Sequence, residues 1–169
     1  MKTGLITEDT TAVHEPVLER ISRNIVESLK EMGVAMGDSG KLIVDRPNPS
    51  TPTQIENYRV LVVQDSPEED EGPVTEGWKN WFQGYSIVCD VVNDADAATP
   101  IDTLLNRLRA DIEKTLRKDP RRGGLAMDTI IRPPELHPVE ENARVGRITV
   151  KCEVWYQHLK DDPYRTRGE

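Results

Sequence analysis

Phenylalanine is almost missing from this 169-residue chain: there is one, and aromatic residues make up only 5% of it. With 36% apolar against 31% charged residues, the core must be modest and largely aliphatic, with much of the chain in surface and loops. Cysteine is scarce as well. Cys89 and Cys152 form no Cys-x-x-Cys pair, and His14, His137 and His158 show no short repeated spacing. A disulfide framework and a local metal motif are therefore both disfavoured, and buried free thiols are the preferred reading in the absence of a secretory context. No apolar run approaches the roughly eighteen residues of a membrane span, and Met1 to Asp9 hold no hydrophobic stretch of signal-peptide length. The net charge of -8 argues against non-specific nucleic-acid binding over most of the surface, while leaving room for a local basic rim.

Chemical signatures are equally sparse. Gly33, Gly37 and Gly40 are too widely spaced for a dinucleotide loop. Gly123-Gly124 beside Arg121-Arg122 reads as a flexible turn with a basic rim rather than an anion site, because phosphate cradles use the opposite end of a helix. His158 near Asp161 and Asp162 has the look of a base with an orienting carboxylate. No serine or cysteine stands beside it in a nucleophile motif, so an exposed strand end is the preferred reading. No enzyme activity, cofactor or metal is expected.

What the chain does have is periodicity. Leu18, Ile21, Ile25, Leu29 and Met32 predict an amphipathic helix from about Pro16 to Met32, with Gly33 as its C-cap. Ile101, Leu104, Leu105, Leu108, Ile112 and Leu116 predict a second one. Thr99 is its expected cap, Pro100 its first position and Asp102 the partner in a capping box. Strands are expected at Leu42–Val44, Arg59–Gln64, Trp81–Val92, Met127–Arg132 and Arg144–His158. In the last of these Ile148, Val150, Cys152, Val154 and Tyr156 share one face, and Thr149, Lys151, Glu153 and Trp155 the other. Arg59–Gln64 reads as a central strand covered on both sides. Gly84 is expected to mark a bulge or a close backbone approach, and Pro133-Pro134 to end the fourth strand.

The order of elements predicts an α+β fold: a mixed, mainly antiparallel sheet with two principal amphipathic helices packed on one face. Residues 15–160 form the expected single domain, between an N-terminal extension at 1–14 and a C-terminal tail at 161–169. Residues 65–77 contain six acids and no base, which predicts an exposed, mobile acidic loop. Trp78, Trp81 and Phe82 follow it directly. Packing is favoured for Trp81, Trp78 is left between packing and an interface, and Trp155 packs under a loop or against another subunit.

The opening helix, Val60–Val63, the Tyr85–Val91 strand, the Pro100–Leu116 helix and the Ile148–Tyr156 strand together resemble the tail terminator, or minor tail protein U-like, family of long-tailed bacteriophages. The resemblance covers nearly the whole chain and rests on element order and hydrophobic pattern. It implies a non-enzymatic structural protein whose subunits form a ring, expected to be a hexamer, at the head-proximal end of the tail. Such a ring stops tube polymerisation and receives the head-side connector, and DNA passes through its channel without specific binding. The implied partners are other copies of the chain, the tail tube protein and the connector. The implied location is the virion, after the host cytoplasm, with no membrane involved. Glu68, Glu69, Asp70, Glu71, Trp78, Arg117, Arg121, Arg122 and Trp155 are the candidate interface, with the Glu68–Glu71 group facing the Arg117–Arg122 region of a neighbour. The alternatives are another neck or tail morphogenesis protein, either head–tail joining or tube-associated, and a small enzyme with an unrecognised site.

Overall fold

The computed structural model describes residues 15–35, 42–51, 53–55, 57–72, 75–93, 99–139, 143–166 and 169. The expected N-terminal extension, Gly37 and Gly40 lie outside them. Helix α1 spans Val17–Ala35 and buries Ile21, Ile25, Leu29 and Met32 of the expected stripe together with Val17, while Leu18 is only half-buried. It runs past Gly33, which is therefore not its C-cap. Helix α2 spans Ile101–Lys118 and buries Ile101, Leu105, Leu108, Ile112, Thr115 and Leu116. Its cap residue is Pro100, with no side-chain cap bond, so the expected Thr99 box does not form. Thr99 lies one residue too early for its hydroxyl to reach the first free amides. Asp102 Oδ1 instead accepts from the Thr103 amide at 2.8 Å.

Five strands follow in chain order: β1 (Leu42–Asp45), β2 (Tyr58–Glu69), β3 (Trp78–Val92), β4 (Asp128–Leu136) and β5 (Val145–Leu159). They make one sheet in the order β1-β2-β3-β5-β4, in which only the β1–β2 pair is parallel. This is the expected mixed, mainly antiparallel sheet with two helices. Register alternation sorts the side chains. Val60, Val62, Tyr85, Ile87, Cys89, Val91, Ile148, Val150, Cys152 and Val154 share one face and one core with the helix stripes. Leu61, Val63 and Val88 occupy the other face and are half-buried. The expectation that β2 is covered on both sides is thus corrected: the helices cover one side only.

Two strands outrun their sequence signals. The acidic segment expected to be a loop from residue 65 continues β2 as far as Glu69. Pro67, Glu68 and Glu69 pair with Gln83, Phe82 and Trp81, and the Asp70 amide donates to the Asn80 carbonyl at 3.0 Å. A backbone ladder and the Lys79–Glu69 ion pair at 3.4 Å offset the repulsion among the acids. Pro67 is tolerated because β1 pairs only with Tyr58–Leu61, leaving this part of β2 at the sheet edge. β4 likewise runs through Pro133-Pro134, an edge strand with a register shift between Arg132 and Glu135. In β2 a bulge sets Asp65 and Ser66 opposite Gly84, where an added Cβ would lie 3.3 Å from the Asp65 Cβ.

The described residues after β5 make contacts with the rest of the domain. Leu159 bridges to Asp162, and the Val17 amide donates to the Pro163 carbonyl at 3.1 Å. Thr166 is buried, and Arg20 forks onto Glu169 at 2.6 and 3.0 Å. The Asp161–Tyr164 turn is present as expected.

Candidate functional site

The helix-free face of the sheet carries a row of paired charges. Asp90, on β3, is 2% exposed and lies between Arg59 of β2 and Arg147 of β5, its two register neighbours. Arg59 Nη2 donates to Oδ2 at 2.7 Å and Arg147 Nε to Oδ1 at 2.6 Å. Burial pushes the Asp90 carboxyl up, but hydrogen bonds from Arg147 and Arg59, together with their charges, more than offset this and hold it below its ordinary value. Further along the face, Lys151 Nζ donates to Ser86 Oγ at 2.7 Å, and Ser86 donates to the Asp65 carboxylate at 2.8–2.9 Å. This serine links an ammonium to a carboxylate. Arg132 pairs with Glu153 at 2.8 Å. Sequence reasoning missed these groups. Their parity, opposite the apolar set on each strand, was the available signal, but naming partners required the register.

Trp155 stacks on Phe82 across β3 and β5, with ring centroids 5.9 Å apart. It therefore packs against a neighbouring strand, and its Nε1 is buried without a hydrogen-bond partner among the described residues. Trp78 is half-buried at the start of β3, opposite Leu159. Trp81 donates from Nε1 to His158 Nε2 at 2.9 Å and stacks on that ring at 6.2 Å. His158 is thus half-buried and engaged, a correction to its reading as an exposed strand end.

The β2–β3 hairpin bears Glu68, Glu69 and Glu71 exposed and Asp70 half-buried, the last accepting from the Gly72 amide at 3.0 Å. At the end of α2, Arg117, Lys118 and Arg121 are exposed. Among the described residues the side chains of Glu68, Glu71, Arg117, Lys118 and Arg121 have no hydrogen bond or ion pair. Arg122 does not belong to this basic group. It is 0% exposed at φ 50°, a left-handed conformation that turns its side chain inward from the Asp119–Ala126 turn. Its Nη2 donates to the Leu116 carbonyl, and its Nε to Thr129 Oγ1 at 3.0 Å. The guanidinium thereby satisfies a carbonyl at the negative end of α2. Burial lowers its pKa, against the raising effect of Asp119.

Both thiols are free and buried, as expected, and burial pushes Cys152 up to about 12. An open groove of about 430 Å³ between α1 and α2 is lined by Asn24, Glu27, Glu31, Thr115, Lys118 and Asp119. Met32 adds an apolar patch to otherwise polar walls. Among the described residues no group of three or more histidine, cysteine or acidic side chains is placed to hold a metal ion. No family model matches the chain, and no curated protein matches it.

Proposed function

We propose that this chain is the terminator subunit of a long bacteriophage tail, a structural ring component that caps the tube, stops its growth and receives the head-side connector. The resemblance of Val60–Val63, Tyr85–Val91 and Ile148–Tyr156 to that family motivates the reading. The observation that carries it is the separation of unpaired charge on one subunit. Glu68 and Glu71 on the β2–β3 hairpin, and Arg117, Lys118 and Arg121 at the end of α2, each lack an internal partner. Opposite charges on distinct surfaces favour a heterologous contact between copies, which closes into a ring when the rotation permits. Pro133 and Pro134 on β4 and Pro67 on the unpaired part of β2 disfavour strand addition there, and the proposed contact is one of side chains. Arg122 takes no part in it.

Electron microscopy of tails assembled with and without the protein tests the function. Tubes of uncontrolled length are expected in its absence, and normal-length tails that join heads would reject the reading. Reversing Glu68, Glu69, Asp70 and Glu71 to lysine tests the contact separately. Ring assembly is expected to fail, and unchanged assembly at low salt would remove this pairing from the account.

A further inference from the structure

We propose that His158 is a proton-sensitive clasp that fastens the base of the β2–β3 hairpin to the end of β5. Two contacts assign its state. Nδ1 lies 2.6 Å from the Leu159 carbonyl oxygen, which can only accept, so Nδ1 carries a hydrogen. Nε2 lies 2.9 Å from the Trp81 indole nitrogen, which can only donate, so Nε2 is bare. Only the neutral ring with its hydrogen on Nδ1 satisfies both. A second proton would set two N–H groups against each other and deprive Trp81 of its acceptor.

The charged and aromatic groups around the ring are these. From β3, Lys79 stands directly opposite His158 in register, its ammonium 5.8 Å from the Trp81 ring centroid. From β2, Glu69 is engaged by Lys79 at 3.4 Å. From β5, the Tyr156 ring lies 6.3 Å away. Lys160 and Asp161 follow His158 in the chain, and Asp162 is engaged by Arg165 at 3.5 Å. The same corner holds other ties between these segments: the β3–β5 ladder pairs Trp78 with Leu159 and Asn80 with Gln157, the Lys160 amide donates to the Gly77 carbonyl at 2.9 Å, and Gln157 Nε2 donates to Asn80 Oδ1. Protonation therefore removes the side-chain clasp at the base of the hairpin that carries Glu68–Glu71, loosening that end against the β3–β5 ladder that remains. This inference concerns the chain by itself and stands whether or not the chain caps a tube.

Nitrogen-15 NMR of the full chain between about pH 8 and about pH 5, where histidines ordinarily change charge, tests it. The expected spectrum shows the Nδ1–H tautomer of His158 and a scalar coupling across the Trp81 N–H···N bond. As His158 gains its proton, hydrogen exchange at the Trp81 indole and the Lys160 amide should accelerate roughly threefold to tenfold, the effect of one lost hydrogen bond. His158→Gln keeps an acceptor at every pH and should abolish the step. Trp81→Phe should leave Lys160 exchange fast at all pH values. An Nε2–H tautomer, an unchanged Lys160 rate while His158 titrates, or an equal step in H158Q would overturn the proposal.

Discussion

Replacing Asp90 with alanine should cost about 3 kcal/mol of folding stability. A hydrogen bond to a charged group contributes about 1.5–3 kcal/mol. The Arg59 side chain is only 15% exposed, so its lost contact stands near the upper part of that range. Arg147 is 48% exposed and can turn to water, which brings its share down to about 1 kcal/mol. At this chain length the melting temperature should fall by about 6–12 °C. Asp90→Asn keeps an acceptor but loses the charge, and should cost about half as much. The pH dependence has a definite sign. A carboxyl with a depressed folded-state pKa contributes stability above its unfolded value of about 3.9, and that stability is lost as pH falls through the lower folded value. Wild-type stability should therefore fall in acid with a component that D90N lacks. Denaturant unfolding across acidic pH, with a double-mutant cycle to Arg147→Ala, measures both effects. A D90A cost below about 1 kcal/mol, or zero coupling to Arg147, would refute the reasoning.

Arg122→Lys should destabilise by about 2 kcal/mol, since one ammonium cannot reproduce the forked contact to the Leu116 carbonyl and Thr129; denaturant titration checks it. Gly146→Ala should cost about 1–3 kcal/mol because the new Cβ would stand 2.9 Å from Leu105 Cδ1 and 3.1 Å from Ile101 Cγ1. Trimming Leu105 to alanine in the same chain should remove the clash part of that cost in a thermal-melt cycle. Glu169 is held down to about 2 by its hydrogen bonds from Arg20. Its contribution is present above the ordinary carboxyl range and lost only as pH falls toward that value, and carbon-13 NMR should show it titrating higher in Arg20→Ala.

The sequence made the helix stripes and the parity of β5 legible because both are local periodic patterns imposed by one buried face. The extension of β2 was not legible. Repulsion among Glu68, Glu69, Asp70 and Glu71 argues locally for a loop, and the pairing with Trp81–Gln83 that overrides it is made by residues a dozen or more positions away. β4 shows the same competition, since a proline pair that would end a central strand is harmless on an edge. Arg122 was misread for a different reason. In an Arg-Arg-Gly-Gly turn nothing local distinguishes the two guanidiniums, and the left-handed backbone of the second one decides which is buried.

Each surface region keeps a different share of its charge available to a partner. On the helix-free face Arg59 and Arg147 meet Asp90, Lys151 meets Ser86 and Glu135, Ser86 meets Asp65, and Arg132 meets Glu153. Covering that face would dehydrate charges already matched within the subunit, at far lower cost than burying unmatched ones. It would also confer little specificity, because specificity comes from charges that remain wrong until the right partner arrives. Among the described residues, Glu68 and Glu71 on the hairpin and Arg117, Lys118 and Arg121 at the end of α2 are charges of that kind. The clasp at His158 lies at the base of that hairpin. Loosening it would move the acids that choose a partner while leaving the matched face as it was. Recognition would then respond to pH through the geometry of the hairpin, without any change in the charge of Glu68 or Glu71 themselves.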